Sequence, residues 1–172
     1  MQMDTAFKTL IWQQYGAAID MLDDAIRNCP DHLWTAAVWE DEDDARYGQF
    51  WYVAFHTLSW LDLYLTGDYE GFKPPAPFLR GQLPESPYTK ADIRSYLLHG
   101  RRKCQTVIEG LTDEKAHQLC TFPFMELGFL ELQIYTMRHV QEHGAHLNLF
   151  LGQNKVATDA DWIAQARAEV PG

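Results

Sequence analysis

The sequence predicts an all-α fold, a four-helix bundle with one long crossover between its second and third long helices. Three observations carry that expectation. Apolar residues recur at three-and-four spacing in four long stretches, as one face of a helix requires. No stretch alternates in the manner of a strand. The 172 residues, 47% hydrophobic and 22% charged, provide for one core and hence for a single domain over residues 1–172.

The first long helix is expected over residues 5–28, where Phe7, Leu10, Ile11, Ala18, Met21, Leu22 and Ala25 form one apolar stripe and Pro30 blocks continuation. A short helix is expected at 31–37. The acidic run Glu40-Asp41-Glu42-Asp43-Asp44 precedes the most apolar segment of the chain, and carboxylates favour the positive end of a helix dipole. The second long helix is therefore expected at 43–66. Between Phe50 and Leu65 its only strongly polar members are His56, Thr57, Ser59 and Asp62, the composition of a helix buried on most sides.

Residues 67–87 hold five prolines and three glycines, which fit neither a helix nor a central strand. This segment is read as the crossover that lets the second and third long helices run parallel. Thr89-Lys90-Ala91-Asp92 is a capping signature that opens the third long helix, expected to reach residue 110. Leu111-Thr112-Asp113-Glu114-Lys115 reads as the capped start of a short helix. The fourth long helix is expected over 125–151, stopped by Gly152, and Thr158-Asp159-Ala160-Asp161 as the cap of a last short helix reaching Ala168.

Fourteen Lys and Arg against twenty-four Asp and Glu give a net charge of −10, which repels phosphate and argues against nucleic acid or an anionic membrane as partner. No apolar run reaches the roughly 18 residues of a membrane span, and MQMDTAFKTLIWQQ lacks a signal-peptide pattern, so the cytoplasm is the expected location. Cys29, Cys104 and Cys120 are odd in number without CxxC spacing and read as buried free thiols.

The chemistry of the chain concentrates in Arg138-His139-Val140-Gln141-Glu142-His143-Gly144-Ala145-His146. At 100° per residue, with His139 at zero, His143 falls at about +40° and His146 at about −20°. The same face carries Gly128, Leu132, Tyr135, Thr136 and Phe150, a mostly apolar stripe that belongs toward a core. Imidazoles buried there need a partner for each nitrogen, and a metal ion supplies one. An isolated HxxxH is a weak signal; His56, the one imidazole in the apolar second helix, strengthens it. A core histidine bonded to a side chain is the alternative for His56.

One ligand from the second helix and two from the fourth is how a bundle builds a site, and three protein ligands leave a position open for water or substrate. The expected ligands are His56, His139 and His143, for a divalent transition metal with zinc and nickel first in line. His146 is the catalytic candidate, with a fourth ligand or a hydrogen-bonding neighbour of the site as alternatives. Tyr52, Trp60, Tyr135 and Thr136 are the expected pocket residues. His32, His99 and His117 lie in polar contexts and receive no role.

The segments FHTLSWLDLYLTG and RHVQEHGAHLNLFLGQ, with the proline-rich crossover between them, resemble the DinB-like (DinB/YfiT-like) family of four-helix-bundle proteins. The resemblance spans nearly the whole chain. It implies a divalent metal on His56, His139 and His143, and a low-molecular-weight thiol as co-substrate in transfer to a small molecule. His146 stands where that family often has glutamine. Three function classes follow as expectations: a metal-dependent thiol transferase, a metal-dependent hydrolase that activates water, and a non-enzymatic metal-binding or stress-related module. The six Trp, eight Tyr and nine Phe offer apolar area for a pocket and for a homodimer face.

Overall fold

The structure, a computed structural model, describes residues 3–157 and 162–170 and is mostly helical. Helix α1 (Thr5–Asn28) is capped by Asp4, whose carboxylate accepts from Ala6 N at 2.9 Å. Two short 3-10 turns, Asp31–Leu33 and Ala45–Gly48, lead into α2 (Phe50–Thr66). Helix α3 (Lys90–Glu109) opens on the expected capping box, in which Thr89 and Asp92 side chains each accept from the other's backbone N at 3.1 Å. A short α4 (Asp113–His117), the strands β1 (Leu119–Phe122) and β2 (Met125–Gly128), and α5 (Phe129–Gln153) complete the order.

Helix α1 packs on α3 and α5, and α2 packs on the same two, so α1 and α2 sit across from each other with the core between. Tyr15, Ile19, Leu22 and Ile26 of α1 meet Phe50, Trp51, Leu58 and Leu61 of α2, Ile93, Tyr96 and Leu97 of α3, and Val140 and Leu147 of α5 there. A smaller cluster of Leu63, Tyr64, Phe72, Phe122, Phe129 and Leu132 attaches the β-hairpin to α2 and α5.

The stripe read from the apolar residues of α1 is buried in its second half, at Ala18, Leu22 and Ala25, but not at its start. Phe7 and Leu10 are 39% and 63% exposed, whereas Asp20, Asp23 and Asp24 are buried. Those carboxylates meet guanidinium groups of Arg101 and Arg94 on α3 and of Arg167 in the tail. Charge pairing across elements overrides the hydrophobic count.

Helix α2 starts seven residues later than the acidic run suggested. Asp44 caps the 3-10 turn instead, accepting from Arg46 N at 2.9 Å. Gly48 then passes so close to Trp39 that a Cβ would lie 2.0 Å from the Trp39 carbonyl oxygen. Val38 N donates to Gly48 O and Phe50 N to Ala36 O, so residues 36–38 pair with 48–50 and hold Gln49 extended. The short helix expected at 31–37 shrinks to the turn at Asp31–Leu33 because its C-terminal half joins that pairing. At the other end Gly67, at φ +70°, closes α2 in the left-handed conformation glycine adopts without strain.

The hairpin is a further departure. Cys120 and Phe122 point inward and Leu119 and Thr121 outward, Pro123 and Phe124 make the turn, and α5 begins at Phe129, after the second strand, and not at 125. The cap expected at 158–161 lies outside the described residues, and residues 162–170 carry no helix. Ala166 N donates to Gln13 O, Arg167 N to the Asp20 carboxylate and Gln14 Nε2 to Ala164 O. The tail's polar groups thus bond to α1 and not to a helical turn of their own. All three cysteines are free and buried, and among the described residues no helix is long and apolar enough to cross a membrane.

Candidate metal centre

Helix α2 lies against α5, and the contact brings His56 from the middle of α2 to His139 and His143 on α5. The four-residue spacing sets the two α5 rings one turn apart on one face, with centroids 4.5 Å from each other. His56 stands 5.3 Å from His139 and 5.2 Å from His143, which closes a triangle. One ligand atom from each ring lies within 4.8 Å of the other two, and all three residues are half-buried.

Two features test whether this group fits a metal ion. Two nitrogens bound at roughly 2.0–2.1 Å to one tetrahedral ion stand about 3.3 Å apart; His56 Nε2 and His139 Nε2 are 3.3 Å apart. The Nδ1 atom of His143 is buried without a hydrogen-bond partner among the described residues; that of His139, equally unpartnered, is the nitrogen its ring would not give to an ion held on Nε2. The donor set fits a transition ion, and the three imidazoles can hold one.

The rings are neutral and keep their lone pairs. Burial, reinforced by His139 and His143, holds His56 down at about 3. Burial and His143 hold His139 down at about 4. His143 is lowered by burial and by His146, against the opposing pull of Glu142. On the α2 side the Trp60 indole N–H donates to His56 Nδ1 at 3.2 Å.

His146 lies outside the set of three, with its ring 5.6 Å from His143 and 5.8 Å from Trp39, and its Nδ1 is buried and unpartnered among the described residues. Trp39 stacks on His143 at 6.2 Å, carried there by the loop that Gly48 admits.

Three cavities open around the cluster, and His56 lines each of them. The largest, about 380 Å³, is walled by Tyr52, Trp60, Leu63, Tyr69, Phe72 and Arg80. A second of about 330 Å³ lies between Trp60, Tyr64, Phe124, Tyr135 and His139. A third of about 240 Å³ is bounded by Trp39, Asp41, Tyr47, Tyr52 and His143. Tyr52, Trp60 and Tyr135 are thus at cavity walls. Thr136 is fully buried, its hydroxyl donates to Leu132 O at 2.6 Å, and it lines none of these three cavities.

Sequence reasoning did not single out Trp39, Arg80 or Phe124. The last sits at the hairpin turn, between two strands of four residues each. Arg80 belongs to the crossover, which supplies Tyr69, Phe72, Arg80 and Gly81 to the largest cavity as well as connecting helices.

Comparison of the chain with models of known protein families, with curated proteins and with solved structures finds no match in any of the three.

Proposed function

We propose that this chain is a metal-dependent transferase of the DinB-like four-helix-bundle type, which holds zinc or nickel on His56, His139 and His143 and joins a small thiol to an electrophilic small molecule. The observation that carries the reading is the meeting of three neutral imidazoles from two helices where the cavities converge. A structural site closes all four positions with protein ligands, whereas three ligands beside a cavity leave one for a reactant.

An ion held by His56, His139 and His143 would lower the pKa of a thiol at its open position and so favour the nucleophilic thiolate. The chain's own groups do the rest. Three uncharged ligands leave the ion's positive charge undiminished. The aromatic walls formed by Tyr52, Trp60 and Tyr64 exclude water from an organic reactant. Two cavities sharing His56, on either side of Trp60, suit a reaction with two organic partners better than hydrolysis, which needs one. The Tyr135 hydroxyl at the second cavity and His146 beside His143 are the groups placed to steady the electrophile.

Element analysis of the purified protein beside His56→Ala and His139→Ala tests the site: one ion per chain is expected in the parent and a large loss in each variant. A panel of electrophiles assayed with and without added small thiols tests the reaction. Turnover that needs thiol and disappears in His139→Ala supports the transferase. Thiol-independent ester or amide cleavage that needs the ion assigns the site to a hydrolase, and a protein that stays metal-free after incubation with zinc and nickel overturns both.

A further inference from the structure

The largest of the three cavities beside His56 contains a charge that the His cluster does not explain. Its walls include Tyr52, Trp60, Leu63, Tyr69 and Phe72 with His56, and Arg80 is the one Lys, Arg, Asp or Glu of that lining. In a chain of net charge −10 most arginines find carboxylates: Arg27, Arg46, Arg94, Arg101 and Arg167 each pair with an aspartate. Arg80 has no ion pair among the described residues. Its guanidinium lies 4.4 Å over the Tyr69 ring, and one nitrogen donates to Phe72 O at 3.2 Å.

A guanidinium carries five N–H donors in a fixed fork, and one protein acceptor leaves most of them free. Stacking on Tyr69 and the bond to Phe72 hold the group in place, so a ligand that engages it does not have to order a long side chain first. The fork matches the two oxygens of a carboxylate. A phosphate dianion suits the place less well, because it brings a second charge into a mainly aromatic cavity of a strongly acidic protein. The volume of about 380 Å³ lies at the lower end of the roughly 300–1,000 Å³ range of small-molecule sites.

We infer that Arg80 anchors the carboxylate of a small organic acid whose apolar body lies among Trp60, Tyr69 and Phe72 and whose other end reaches the imidazole cluster at His56. The inference deepens the functional reading above and rests on it for the reacting end. The anchoring itself depends on Arg80 and the cavity alone.

The test uses 3-phenylpropanoate and its uncharged twin 3-phenylpropanamide, titrated calorimetrically into the full chain, metal-free and zinc-loaded, with zinc content measured on the same samples. The acid is expected to bind about tenfold or more tightly than the amide in both forms. In Arg80→Gln the acid should fall to the amide's affinity while the amide is unchanged, and Arg80→Lys should keep part of the preference. Circular dichroism establishes that each variant is folded, and the acid-to-amide ratio of the parent protein stands as a test without them. Equal binding of the two probes, no detectable binding of the acid, or a preference that survives Arg80→Gln overturns the assignment. So does a preference confined to the zinc-loaded form, which puts the carboxylate on the ion. Failure of the metal site reads out separately, as absent zinc with the preference for the acid intact.

Discussion

Two of the polar clusters among the described residues are built on opposite rules. Between α1, α3 and the tail, Asp20, Asp23 and Asp24 face Arg101, Arg94, Arg27 and Arg167; Arg101 donates to both Asp20 oxygens, at 2.7 and 3.1 Å. None of these side chains has a buried polar atom left without a partner. Between α2 and α5 the three imidazoles are neutral, crowd one another, and leave buried nitrogens unpaired. Saturated charges hold elements together; unsaturated donors beside cavities are poised for something from outside.

The contrast is broken most severely by removing one member of each cluster. Asp20→Ala leaves the Arg101 guanidinium, 7% exposed, without its carboxylate, and is expected to cost about 3–5 kcal/mol in chemical denaturation. His139→Ala removes a neutral ring with an unpaired nitrogen and should cost the metal-free protein about 2 kcal/mol or less, mostly lost packing. If His139→Ala proves as costly as Asp20→Ala without metal, the imidazoles belong to the structural frame and the distinction fails.

The same contrast explains what the sequence discloses. His139 and His143 are legible because a 3.6-residue period fixes their common face, and His56 because an imidazole stands out in an apolar helix. Asp20 and Arg101 are 81 residues apart, and no local period connects them. The capping box at Thr89 and the αL stop at Gly67 are local events, so α3 begins and α2 ends where expected. The start of α2 is set by pairing of residues 36–38 with 48–50 through a close approach at Gly48, and the hairpin by two strands of four residues each. Such pairings depend on distant partners and leave too short a pattern to read. Arg80 was obscured by its proline-rich surroundings, whose composition indicates a connection but not a cavity wall.

Acidification sharpens the comparison by acting on the imidazoles. In an unfolded chain these rings titrate near 6.5, whereas in the fold His56 and His139 are held at about 3 and about 4. Between those values the unfolded chain binds more protons than the native one, so stability increases with pH and falls as pH drops from 6.5 toward 4. The loss is on the order of 1 kcal/mol per pH unit for each of His56 and His139. Because carboxylates also titrate below pH 5, the measurement is a difference: metal-free parent protein minus His56→Phe, by urea denaturation at pH 7, 6 and 5. The parent is expected to lose more stability than the variant across that range. Parallel profiles would mean that His56 accepts a proton freely in the folded state.

The smallest expected effect concerns Trp60. Its indole N–H donates to His56 Nδ1, which therefore presents a lone pair and leaves the ring proton on Nε2, toward His139. A histidine that gives Nε2 to an ion keeps its proton on Nδ1, and there it would meet the indole N–H, donor against donor. Zinc loading is therefore expected to turn Trp60 away from His56 and, since Trp60 lines both larger cavities, to reshape the space beside the site. Trp39 touches His143 and His146 through its ring face and edge, without a hydrogen bond between them, so its response to zinc is independent of this conflict. A zinc titration followed by tryptophan emission should show a change that Trp60→Phe largely removes, with zinc bound as tightly as in the parent or a few-fold tighter. Markedly weaker zinc binding in Trp60→Phe would make the indole a support of the imidazole cluster, and the contrast between a saturated frame and an unsaturated site would then stop at the three rings themselves.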